Sequence, residues 1–202
     1  MRKLCFGGSF NPIHYGHICC ARAAAEKLGF ERVELIPSAQ PPHKLPGANL
    51  AAADHRLAMC RMAVASDKLF SVNDIEMRRN GKSYTIQTAR QLKHEGWPEV
   101  NWLIGADMLN SLPTWRDPDA LLREVSFIVM ARPGFHLDWS SLGPEYQQLQ
   151  QNVVEVPAVN ISATGIRQKV ANGQSIDGLT PHTVVEYIRR HRLYLPEPLA
   201  TT

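Results

Sequence analysis

Long apolar runs are missing from this chain. No stretch approaches the ~20 consecutive apolar residues that a membrane-spanning helix needs, and Met1-Arg2-Lys3 leads into a run too short and too glycine-broken for a secretion signal. Cysteine is sparse: Cys5, Cys19, Cys20 and Cys60 form no CxxC pair and two are adjacent, a layout that suits neither a disulfide framework nor a zinc site. The expectation is a reduced, soluble, cytoplasmic protein with no membrane partner. An excess of one charge is lacking as well. With 22 Lys and Arg against 19 Asp and Glu, the net charge of +3 argues against a broad nucleic-acid surface but leaves room for a local pocket that takes anionic nucleotides. No internal repeat or linker divides the chain, so its 202 residues, 44% hydrophobic and 20% charged, read as one globular domain over 1–202. Three familiar motifs, GxxxxGK[ST], GxGxxG and HExxH, cannot be written anywhere through it.

What is present centres on Gly7-Gly8-Ser9-Phe10-Asn11-Pro12-Ile13-His14-Tyr15-Gly16-His17. Lys3 to Phe6 reads as a buried strand, and Ile18 to Leu28, rich in Ala with Glu, Lys and Leu, as the helix after it. Paired glycines allow close approach of backbone to a ligand. Two histidines then arrive where the helix presents its free N–H groups, a place suited to phosphate. The His14-x-x-His17 spacing is weak as a metal pair, because zinc sites want three or four ligands.

Arg32 to Pro37 reads as a second strand, making a right-handed βαβ unit with a parallel sheet. The Pro41-Pro42-His43-Lys44 loop is an extended arm ending in a lysine that, alone, would count as solvated. In the helix from Ala51 to Ser66, Arg56 and Arg61 read as solvated or paired. Phe70 to Val72, extended by Ile75 to Met77, suggests a third strand.

Ser83 is a plausible N-cap for a helix to about Glu95, whose first N–H groups, at Tyr84 and Thr85, are suited to a carboxylate, although plain capping is the simpler account. Asp107 follows the strand Trp102-Leu103-Ile104 and Gly105, where open α/β sheets bind ligands; it could equally cap a helix. Trp115, in a loop after Leu112-Pro113-Thr114, offers a flat π-face. Arg132 closes the apolar strand Val125 to Ala131 and could fork onto phosphate. Phe135 to Asn152 reads as an exposed excursion with a small helix. Val153 to Val156 reads as the last strand. It leads to Asn160-Ile161-Ser162-Ala163-Thr164-Gly165-Ile166-Arg167, where Ser162 as N-cap, the Thr164 hydroxyl and Arg167 one turn on would build a second anion site. Thr180 as N-cap and Pro181 at the first position open the final helix.

The run GGSFNPIHYGH resembles the GGTFDPxHxGH signature of the HxGH nucleotidyltransferases. Further matches at PPHK, SYT, GADML, LPTW, RPG and ISATGIR, in order from Gly7 to about Tyr194, are similar to the bacterial nicotinate-mononucleotide adenylyltransferases. Asn11 stands where the family usually has Asp, and Ser9 where Thr is commoner. The resemblance implies a Rossmann-like α/β fold, an open parallel sheet with helices on both faces. It also implies transfer of AMP from ATP to nicotinate mononucleotide, with Mg2+ accompanying ATP. By residue, it implies catalysis by His14, His17, Lys44 and Arg167. It places ATP on Gly7, Gly8, Ser9, Phe10, His14, His17, Gly105, Asp107, Ile161, Ser162, Thr164 and Arg167, and the mononucleotide on Asn11, Lys44, Ser83, Tyr84, Thr85, Trp115 and Arg132. Alternatives are a related enzyme acting on nicotinamide mononucleotide or 4′-phosphopantetheine, a non-catalytic nucleotide sensor, and a nucleic-acid-binding module, the last disfavoured by the weak net charge. Nothing in the sequence specifies an oligomeric state.

Overall fold

The computed structural model describes residues 1–42, 49–134 and 138–196. Six parallel strands form one sheet in the order β3-β2-β1-β4-β5-β6, with β1 Lys3–Gly8, β2 Arg32–Pro37, β3 Phe70–Val72, β4 Asn101–Gly105, β5 Ser126–Ala131 and β6 Val153–Glu155. The chain moves outward from β1 to β3, then returns to β4 on the other side of β1. The loops leaving β1 and β4 therefore diverge, and the crevice between them is where open α/β sheets hold ligands.

The two-residue period of the strands sorts the core into two layers. Leu4, Phe6, Leu35, Leu103 and Ile128 face one side, with Ala21 of α1 (Tyr15–Leu28), Met59 of α2 (Ala53–Ala63), Ile166 of α6 (Ala163–Ala171) and Val184 of α7 (His182–Arg190). Cys5, Trp102, Ile104, Phe127 and Val129 face the other, with Ile86 of α3 (Thr85–His94), Leu109 of α4 (Ala106–Leu109) and Leu121 of α5 (Pro118–Glu124). Strands buried on both faces explain why they read as unbroken apolar runs. The four cysteines are unpaired. No helix among the described residues is long and apolar enough to cross a membrane.

Three local expectations are corrected. Ile75 to Met77 does not extend β3, because Met77 and Arg78 N–H both turn back to the Asp74 carbonyl. The 135–152 excursion is not simply exposed: a 3-10 helix at Pro144–Asn152 buries Tyr146 and Leu149 in the second layer, a contribution hidden by its glutamines. At the final helix Pro181, not Thr180, is the N-cap, and the buried Thr180 hydroxyl donates instead to the Ile13 carbonyl at 2.8 Å.

Candidate active site

The β1–α1 loop sits over the switch point, and its shape follows from packing. Gly7 leaves room for the Trp102 indole, onto which a Cβ would fall, and a Cβ on Gly8 would lie 3.2 Å from the Phe10 ring. Phe10 is buried at a left-handed φ of 43° and meets the Phe6 and His17 rings edge-on at 5.6 and 5.1 Å. Its side chain is therefore scaffold, which leaves only its backbone for a nucleotide. His14 is the N-cap of α1, and its ring stacks on that of His17 at 3.7 Å. Gly16 is required for space: a Cβ there would come within 2.9 Å of His14 Nδ1 and 3.3 Å of the Ile161 carbonyl.

The backbone N–H of His14 donates to His17 Nδ1 at 3.3 Å. An Nδ1 that accepts carries no proton in the neutral ring, so the His17 proton sits on Nε2 as a donor. Burial keeps both rings neutral, lowering His14 to about 4 and His17 well below its ordinary value, with His14 adding repulsion to the latter. In the unfolded chain these groups take up protons near 6.5, whereas the folded rings resist to lower pH. Between those values the unfolded state binds more protons, so stability present above pH ~6.5 is lost as pH falls towards 4. Urea midpoints should decline over this window, with a shallower slope in His14→Gln. Equal slopes would contradict the assignment.

Helix α6 closes on the same loop. Ser162 caps it as expected, its Oγ accepting from the Gly165 N–H at 3.1 Å. Arg167 Nη1 donates to the Asn11 carbonyl at 2.9 Å and Nη2 to Thr164 Oγ1 at 3.2 Å. The start of α6 is thus locked to the β1–α1 loop, with the Ile161 carbonyl against Gly16.

The Asn11 side chain is buried and hydrogen-bonded within the chain. It is 2% exposed; its Oδ1 accepts from the Ala51 N–H at 3.0 Å and the Tyr194 hydroxyl at 2.8 Å, while Nδ2 donates to the Asn49 carbonyl at 2.9 Å. An amide suits these partners because one end must donate and the other accept, which a carboxylate cannot do.

On the opposite face of the sheet a cavity of about 740 Å³ opens between the ends of β1 and β4 and the start of α3. It brings together Gly7, Gly8, Ser9 and Gly105 with Ser83, Tyr84, Thr85 and Trp115. Ser83 is not the cap of α3; that position is Tyr84. Ser83 instead trades hydrogen bonds with Gln40, its Oγ accepting at 3.3 Å and its N–H donating at 2.9 Å, which fixes the helix start to the loop after β2. Tyr84 and Thr85 N–H precede the first intrahelical bond, from the Gln87 N–H to the Tyr84 carbonyl at 3.0 Å, and so remain presented to a ligand. Trp115 Nε1 donates to Ser111 Oγ at 3.2 Å, and the ring stands edge-on to Phe127.

Other expected residues fall outside this wall. The carboxylate of Asp107, exposed on α4, folds back over Gly105, which has no Cβ to obstruct it. Arg132 is exposed just past β5 and does not line the cavity; its charge acts on the Cys20 thiol of α1. Lys44 lies outside the described residues. Sequence reasoning missed Glu76, Lys82 and Arg116, all in the cavity wall, and Arg56, which is 1% exposed. Arg56 donates to four backbone carbonyls, of Ala51 at 2.9 Å, Ser9 at 2.8 Å, Ser38 at 2.6 Å and Ala39 at 3.0 Å, so it is neither solvated nor ion-paired among the described residues. The one available signal for Arg116 was its place after Trp115.

Comparison with known proteins agrees with this geometry. The cytidylyltransferase-like family model matches residues 5–169. A probable nicotinate-nucleotide adenylyltransferase of Symbiobacterium thermophilum is 39% identical over 201 residues, covering 96% of this chain and 95% of the relative. One of Moorella thermoacetica is 41% identical, covering 94% and 90%. Among solved structures, nicotinic acid mononucleotide adenylyltransferase of Plasmodium falciparum, complexed with NaAD, superposes with a TM-score of 0.76 at 18% identity, covering 96% of this chain and 98% of that one.

Proposed function

The chain belongs to the cytidylyltransferase-like family, among its nicotinate-nucleotide adenylyltransferases, and from that premise we propose that it transfers the adenylyl group of ATP to nicotinate mononucleotide. The products are nicotinate adenine dinucleotide and pyrophosphate, and the place is the cytoplasm. The attacking group is an oxygen of the mononucleotide's own phosphate, largely ionised at neutral pH because its second pKa is ~6. It forms a bond to the α-phosphorus of ATP as the bond to the β-phosphate oxygen breaks, and pyrophosphate carries away the charge. No side-chain nucleophile or base is needed.

The work left to the protein is to align two anions and offset the charge between them. His17 Nε2–H, with His14 beside it, donates to the transferring phosphate. The guanidinium N–H groups of Arg167 not used on Asn11 and Thr164 face the polyphosphate, and Lys44 adds charge. Mg2+ accompanying ATP would supply charge neutralisation on the polyphosphate. Trp115 stacks on the pyridine ring, whose carboxylate lies at the start of α3.

The observation that supports this reading best is the single loop flanked on one side by His17 and Arg167 and on the other by the Trp115 cavity. The test is pyrophosphate release from ATP with nicotinate mononucleotide, nicotinamide mononucleotide or 4′-phosphopantetheine as acceptor. Nicotinate mononucleotide should give the highest kcat/KM; preference for another acceptor would refute the proposal.

A further inference from the structure

We infer that Arg116 determines the enzyme's choice between a pyridine carboxylate and the corresponding amide, a role that rests on the function proposed above. Arg116 lines the cavity beside Trp115, and its guanidinium carbon stands 5.8 Å from the centroid of the Tyr84 ring, at the start of α3. The Trp115 indole is held by Ser111 and Phe127, so a ring stacked on it has a defined plane and a defined edge. Tyr84, Thr85 and Arg116 line the same cavity as that indole.

The helix start favours a carboxylate only through partial charges. Its backbone N–H groups also donate to an amide oxygen, so part of the discrimination is left to another group. A full positive charge adds to it. Among the described residues four charged side chains line the cavity: Lys82, Arg116, Glu76 and Asp117. Asp117 is paired with Arg90 at 3.4 Å. Glu76 Oε1 accepts from Thr88 Oγ1 at 2.7 Å, with Arg79 at 4.0 Å. Arg116, by contrast, has no carboxylate within 4.0 Å among the described residues, so its charge is available to a ligand. Lys82 and Arg116 are both exposed, but Arg116 stands over the aromatic ring that precedes α3. A planar guanidinium is weakly hydrated and matches a carboxylate with two parallel N–H bonds, which an amide cannot accept.

The experiment measures kcat and KM for Arg116→Gln and Arg116→Lys with nicotinate and nicotinamide mononucleotides and with ATP. In Arg116→Gln the ratio of kcat/KM for acid over amide should fall by about tenfold or more, through KM for the acid, with KM for ATP and the thermal midpoint unchanged. Arg116→Lys should recover part of the preference. A parent enzyme that prefers the acid, together with an Arg116→Gln variant that keeps the parent ratio, would overturn the role of Arg116 alone. A parent that prefers the amide would overturn the functional reading and this inference with it.

Discussion

Replacing His17 with Ala should lower kcat by ~100-fold or more, the scale of one lost donor to a developing oxyanion. The reasoning begins with the proton. His14 N–H occupies Nδ1, burial prevents a second proton from binding, and so Nε2–H is fixed as a donor before any substrate arrives. The ring is also held from three sides, by Phe6 at 6.0 Å, Phe10 at 5.1 Å and His14 at 3.7 Å between centroids. Little reorganisation then remains to be done in the transition state, which is what makes such a donor effective. Ala is a strong helix former, and position 17 lies in the first turn of α1, so the fold should survive the change. Circular dichroism would confirm this. A purified His17→Ala enzyme that forms pyrophosphate at the parent rate would remove His17 from the mechanism.

The second large effect is on stability. Arg56→Met should cost on the order of 3–5 kcal/mol, read as a shift of roughly 10 °C or more in the thermal midpoint. The side chain bridges the loop after β1 through Ser9, the loop after β2 through Ser38 and Ala39, and the start of α2 through Ala51. Removing it leaves carbonyl oxygens buried without donors, each costing about 1–3 kcal/mol unless water enters. Met fills much of the volume, so the loss reports the hydrogen bonds more than a cavity. Arg56→Lys keeps the charge but cannot span three loops from one nitrogen, and should recover only part of the loss. An unchanged midpoint in Arg56→Met would show that the loops hold themselves.

These residues also show what was readable in the chain and what was not. The glycine-rich loop, the paired histidines and the cap at Ser162 are local arrangements, set by neighbours within a turn, and the apolar strands carry their period on their face. All were legible. Arg56 was not, because three of its four partners are carbonyls 17, 18 and 47 residues away, and carbonyls leave no mark in a sequence. The partners of the Asn11 side chain, Asn49, Ala51 and Tyr194, are likewise distant in the chain. Arg132 directly follows β5, as its sequence position indicated, while the cavity opens over β1 and β4. The 3-10 helix at Pro144–Asn152 hid its two core residues among polar ones.

The bond from Tyr194 to Asn11 joins residues 183 positions apart. A ribosome adding about 5–20 residues per second needs roughly 10–40 s to travel that distance. Throughout that interval the glycine-rich turn has been made but lacks one of the struts that hold it, so a growing chain carries its nucleotide-handling apparatus unfinished. Competence waits until the phenol comes free to dock.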